Sequence, residues 1–139
     1  MGDFMSYFGK KEYTLKTLKS DKDIDFLDDS WHTIIDLTAS GKPVYFWAEF
    51  YNGNFETRIT MDGTVAYLMD DKEMVNYDLA VANLVKFKGN APYKQSSDIF
   101  SWYFPDIYFA TSFVVDVRRR SGNNHGLDRM MFIYKEEID

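Results

Sequence analysis

The sequence predicts an α+β domain: an antiparallel sheet of five or six strands with two amphipathic helices packed on it. Three observations lead there. Pro43–Met69 alternates in polarity around two glycine corners, Asn52-Gly53 and Asp62-Gly63, the pattern of a three-stranded meander over residues 44–69. Ile24, Leu27, Trp31, Ile34, Ile35 and Thr38 recur at the three–four spacing of one helical face. Met74, Tyr77, Val81, Leu84 and Val85 repeat that spacing further along.

Taken in order, residues 1–10 form a loose lead-in and residues 11–139 a single globular domain, since 139 residues make about one domain. Lys11–Leu18 alternates and reads as a short strand. Ser20–Ser40 reads as the first helix. Ser20 or Asp21 caps it, an acidic first turn complements its dipole, and Gly41 with Pro43 ends it. After the meander, Asp70 and Glu73 resemble a capping box for a second helix over about Lys72–Lys88, stopped by Gly89, Asn90 and Pro92. Ser97–Phe104 reads as a short helix or an aromatic loop. Ile107–Arg119 and Leu127–Lys135 read as a long hairpin closed by Arg120–Gly126.

The glycine corners set a register for the meander. Two-residue loops put Phe50 opposite Phe55, Ala48 opposite Thr57, Phe46 opposite Ile59 and Val44 opposite Met61. They put Ile59 opposite Ala66 and Thr57 opposite Leu68. This nearly all-apolar face is the expected core. The other face carries Tyr45, Trp47, Glu49 and Tyr51, then Glu56, Arg58 and Thr60, then Val65, Tyr67 and Met69. Trp47, Arg58 and Tyr67 would line up across it, with the guanidinium between two rings, a contact worth about 0.5–2 kcal/mol.

Composition narrows the function. Aromatic residues make up 18% of the chain, 12 Phe, 10 Tyr and 3 Trp; such residues favour strands and dominate interface energetics. The lack of cysteine excludes disulfides, thiolate nucleophiles and cysteine-ligated metals, and suits a reducing cytoplasm. No apolar run of about 18 residues is long enough to span a membrane. The net charge of −6 is uneven: residues 1–82 hold eight Lys/Arg against fifteen Asp/Glu. That disfavours nucleic acid and suits a protein partner with a basic surface.

Few constellations point to chemistry. On a helix, Asp28, His32 and Asp36 would project in one row, yet a divalent cation needs ligands from a second element and none is identifiable. His125 sits in a turn beside Asn123, Asn124 and Gly126, with Asp128 as its nearest acid. Arg118, Arg119 and Arg120 alternate in direction on a strand. No glycine-rich phosphate loop or dinucleotide fingerprint is present.

No metal or cofactor is therefore expected. The expectation is a non-catalytic binding or inhibitor protein of the immunity-protein, antitoxin or viral anti-defence type. Its partner-binding residues would be Trp47, Arg58, Tyr67, Tyr45 and Glu49, with Asp25, Asp29 and Asp36 on the helix as a steering surface. The alternatives are a small-ligand or nucleotide-binding domain, and a His/Asp or metal-dependent hydrolase. The chain would be a monomer or a homodimer, the latter through an unpaired edge strand.

Overall fold

A computed structural model of the chain describes residues 11–20, 24–51, 55–70, 85–90, 97–119 and 125–138. Ten strands run through them: β1 (Tyr13–Ser20), β2 (Ile24–Phe26), β3 (His32–Thr38), β4 (Gly41–Tyr51), β5 (Phe55–Met61), β6 (Thr64–Asp70), β7 (Val85–Asn90), β8 (Ser97–Tyr103), β9 (Ser112–Arg119) and β10 (His125–Glu137). They build two antiparallel sheets. The first has the order β1-β10-β4-β8-β7, with β2 also paired to β10; the second has the order β3-β9-β5-β6.

The inner faces of the sheets meet in one aromatic core. Phe46, Ala48 and Phe50 from β4, Phe100 and Trp102 from β8, and Phe132 from β10 face Phe55 and Ile59 from β5, Tyr67 from β6, and Phe113, Val115 and Val117 from β9. Phe113 stacks on Phe132 with centroids 4.7 Å apart, and Phe50 on Phe55 at 4.2 Å, each pair joining the two sheets. Each large buried side chain among them contributes about 1.5–3 kcal/mol. This packing, spread over both sheets, holds the sandwich together.

The expectation of an α+β fold is wrong: no helix occurs among the described residues. The segment assigned to the first helix forms β2, a bend and β3 instead. The reason is local. Asp28 accepts hydrogen bonds from the backbone N–H and the hydroxyl of Ser30, the former at 3.0 Å, an alternative to helical bonding that Asp and Ser favour. The run Thr33, Ile34, Ile35 is β-branched and fits a strand. Leu27, placed on the helical core face by its spacing, is 80% exposed. The second helix was expected over residues 72–88; its last four positions lie in β7, and residues 72–84 lie outside the described residues.

The meander is also corrected. Its three strands exist, but β4 lies in the first sheet while β5 and β6 lie in the second. Phe50 and Phe55 do touch, across the core and not along a hairpin. The Asp62-Gly63 corner behaves as expected, with φ of 53° and 81°, values that match a type I′ turn. Met61 then pairs with Thr64 and Thr60 with Val65, but a bulge follows and Ile59 pairs with Tyr67. The extra residue, Ala66, turns Tyr67 inward. Likewise Ser97–Tyr103 is a strand. The expected long hairpin is split, since β9 pairs with β3 and β5 whereas β10 pairs with β1, β2 and β4.

The connection from β8 to β9 is tied to both sheets. Asp62 accepts from the N–H groups of Ala110, Thr111 and Ser112 at 2.8, 2.7 and 3.1 Å. Gly41 and Phe109 exchange backbone hydrogen bonds of 2.9 Å each way. Gly41 is needed here, because a Cβ would sit 2.0 Å from the carbonyl oxygen of Lys135.

Candidate functional site

Strand alternation sends Phe46, Ala48 and Phe50 inward and Tyr45, Trp47 and Glu49 to the outer face of the first sheet. Three cross-strand rows result: Arg129, Glu49 and Ile99; Met131, Trp47 and Ser101; Ile133, Tyr45 and Tyr103. On the far side of β10, Lys19 pairs with Met131 and Thr17 with Ile133. Tyr45 and Tyr103 lie 4.6 Å apart between ring centroids, and the Tyr45 hydroxyl is 3.2 Å from Ser101 Oγ. Burial pushes the Tyr45 phenol up, so it stays protonated and able to donate.

At the centre, Arg129 Nε donates to Glu49 Oε2 at 2.9 Å, and its guanidinium carbon lies 5.2 Å from the centroid of Trp47. Glu49 is 0% exposed, and its second oxygen, Oε1, has no hydrogen-bond partner among the described residues. A carboxylate so enclosed relies on the cation beside it. The pair therefore fixes the arginine, and the arginine in turn braces the indole. Lys19, Tyr45, Trp47, Arg129, Met130 and Met131 line a depression of about 270 Å³ beside it. The bulge that leaves Asp128 between the paired Leu127 and Arg129 gives Arg129 this outward aim.

The other sequence-predicted residues lie elsewhere. Arg58 is on the second sheet, bonded to Asp116 Oδ2 through Nε at 3.2 Å and Nη2 at 3.0 Å. Tyr67 is 0% exposed, in the core against Phe104. So Trp47, Arg58 and Tyr67 share no face. Asp25 is on β2, Asp36 on β3, and Asp29, in the bend between those strands, is held by Arg119 at 2.9 Å. The three acids form no common row. Asp28 and His32 lie 3.3 Å apart, while Asp36 falls on the outer face of β3, in register with Val114. Among the described residues no group of three or more His, Cys, Asp or Glu could hold a metal ion. The side chain of His125 lies outside them.

Sequence reasoning missed two residues. Arg129 takes the place beside Trp47 that was given to Arg58. Trp31, expected in a helical core, lies on the outer face of the second sheet with the guanidinium carbons of Arg58 and Arg118 at 4.2 and 4.4 Å from its centroid. Asp116 neutralises Arg58, and Glu56 holds Arg118 at 3.3 Å. Thr33 Oγ1 donates to Asp116 Oδ1 at 2.6 Å. That second cluster pairs its charges internally and latches the β2–β3 bend to its sheet. An alternation read along Arg129, Met131 and Ile133 would have signalled the first, since all three oppose the aromatic face of β4. No family model and no curated protein matches the chain.

Proposed function

We propose that the chain is a non-catalytic binding protein that docks on a protein partner through the outer face of its first sheet. The observation that carries this reading is the cluster of Tyr45, Trp47 and Met131, all half-buried, around the fixed Arg129. Trp, Tyr, Met and Arg are the residues enriched at the centres of protein interfaces. A rigid sheet holds them, so little ordering entropy is lost on docking. The charges around the face also favour one kind of partner. Lys19, Lys42 and Lys135 stand on or beside it, and among the described residues its acids, Glu49, Asp106 and Glu137, are each engaged by a cation. An acidic surface is the better complement, in place of the basic one that net charge alone suggests.

The test is capture of the partner on immobilised protein from the cells that produce the chain, followed by titration of variants. Trp47→Ala is expected to weaken binding by about 2 kcal/mol, the loss of a hot spot. Arg58→Ala, on the other sheet, is expected to leave affinity unchanged. Equal affinity of Trp47→Ala and the unaltered chain, with the fold intact, removes this face from consideration.

A further inference from the structure

We infer that the cleft at the start of β4 binds a small organic carboxylate that carries an apolar ring or acyl group. This proposal stands on the cleft alone and does not depend on a macromolecular partner. Lys42, Pro43, Val44, Phe104, Pro105 and Asp106, with Lys135 at its mouth, line a cavity of about 390 Å³, within the size range of small-ligand sites.

The charge arrangement is unusual for a sheet. Lys42 and Lys135 are direct cross-strand partners in the β4–β10 pair, a like-charge opposition that destabilises a sheet unless an anion lies near. Among the described residues one carboxylate, that of Asp106, acts on both. Lys42 Nζ donates to Asp106 Oδ1 at 2.7 Å, and this hydrogen bond raises the Lys42 pKa and keeps it charged. No ion pair to Lys135 occurs among the described residues, and its charge acts on the same Asp106. Two lysines thus line the cleft against one carboxylate.

Between the charged groups the walls are formed by Pro43, Val44, Phe104 and Pro105. Pro43 brings no N–H to the cleft. The bulge at Val44, between the paired Tyr45 and Pro43, widens β4 at this point. The Val44 carbonyl accepts from Phe104 N–H at 3.0 Å and sets the opposite wall. The close approach of Gly41 to the Lys135 backbone locks the two strands that carry the lysines. A carboxylate placed between the ammonium groups would put its apolar body against Phe104 and Pro105.

The experiment is an amide NMR titration of the full chain with benzoate, alongside benzyl alcohol (the same ring without charge), acetate (the charge without the ring) and inorganic phosphate. Saturable shifts at Phe104, Asp106 and Lys135 are expected with benzoate in the millimolar range, about ten-fold tighter than with the other three probes. Lys135→Met, a change at an exposed position, is expected to weaken benzoate about five-fold or more while the rest of the spectrum is retained. Three results overturn the proposal: no saturation by about 50 mM benzoate, equal binding of acetate or phosphate, or benzoate binding unaffected by Lys135→Met.

Discussion

Asp62 shows how one side chain can decide a join between elements. Desolvation at the turn raises its pKa, but the N–H groups of Ala110, Thr111 and Ser112 and the Thr111 hydroxyl outweigh this and hold it at about 2, below the ordinary 3.8. A carboxyl depressed in the folded state stabilises the fold above its unfolded value and loses that effect as pH falls through the folded one. Denaturant midpoints measured from pH 5 down to about 2 should therefore fall less steeply in Asp62→Asn than in the parent. Asn tolerates the left-handed backbone of the turn, so the loss of charge is read separately from the loss of the turn. Thr57 gives a second test. Its hydroxyl is buried with no partner among the described residues, and Thr57→Val should raise stability by about 1 kcal/mol in urea denaturation. Much at this scale was legible in the sequence: Phe46, Ala48, Phe50, Phe55, Thr57 and Ile59 fall on the inner face as the alternation requires. Trp31 was not, because its spacing from Ile24, Leu27, Ile34 and Ile35 fits a helical stripe as well as a bend beside a strand.

Among the elements, the β5–β6 hairpin explains the largest error in the expected site. The Asp62-Gly63 turn is readable from two residues, but nothing in Val65-Ala66-Tyr67 announces the bulge. One inserted residue exchanges the faces of everything beyond it, so Tyr67 goes to the core and Leu68 to solvent. Deleting Ala66 should remove the bulge while leaving Tyr67 opposite Ile59 and on the core face. Chemical denaturation should therefore show a loss well below the roughly 3–5 kcal/mol expected of Tyr67→Ala. A loss as large as that of Tyr67→Ala would mean that Tyr67 cannot reach the core without the bulge. The strands of β4 and β5 were legible, and their separation into two sheets was not. Phe50 against Phe55 satisfies the pattern equally as a hairpin pair or as a contact across a sandwich. The choice is made by β8, β9 and β10, which lie far away in sequence and occupy the hydrogen-bonding edges of β4 and β5.

Across the whole molecule, the two outer faces divide the work. The second sheet pairs its arginines with Asp116, Glu56 and Asp29 and covers two of them with Trp31. The first sheet keeps Trp47, Tyr45 and Met131 half-open around one braced arginine, with lysines nearby. An acidic partner steered by those lysines should associate more slowly as salt is raised through about 0.1–0.5 M, since the Debye length shrinks over that range, while dissociation changes little. The most direct test of the account is oxidative side-chain footprinting of the free chain and of its complex with the captured partner. Trp47, Tyr45 and Met131 should be oxidised in the free chain and protected in the complex, with Trp31 equally reactive in both. Protection of Trp31 with Trp47 and Met131 left unchanged would place the partner on the other sheet and contradict it.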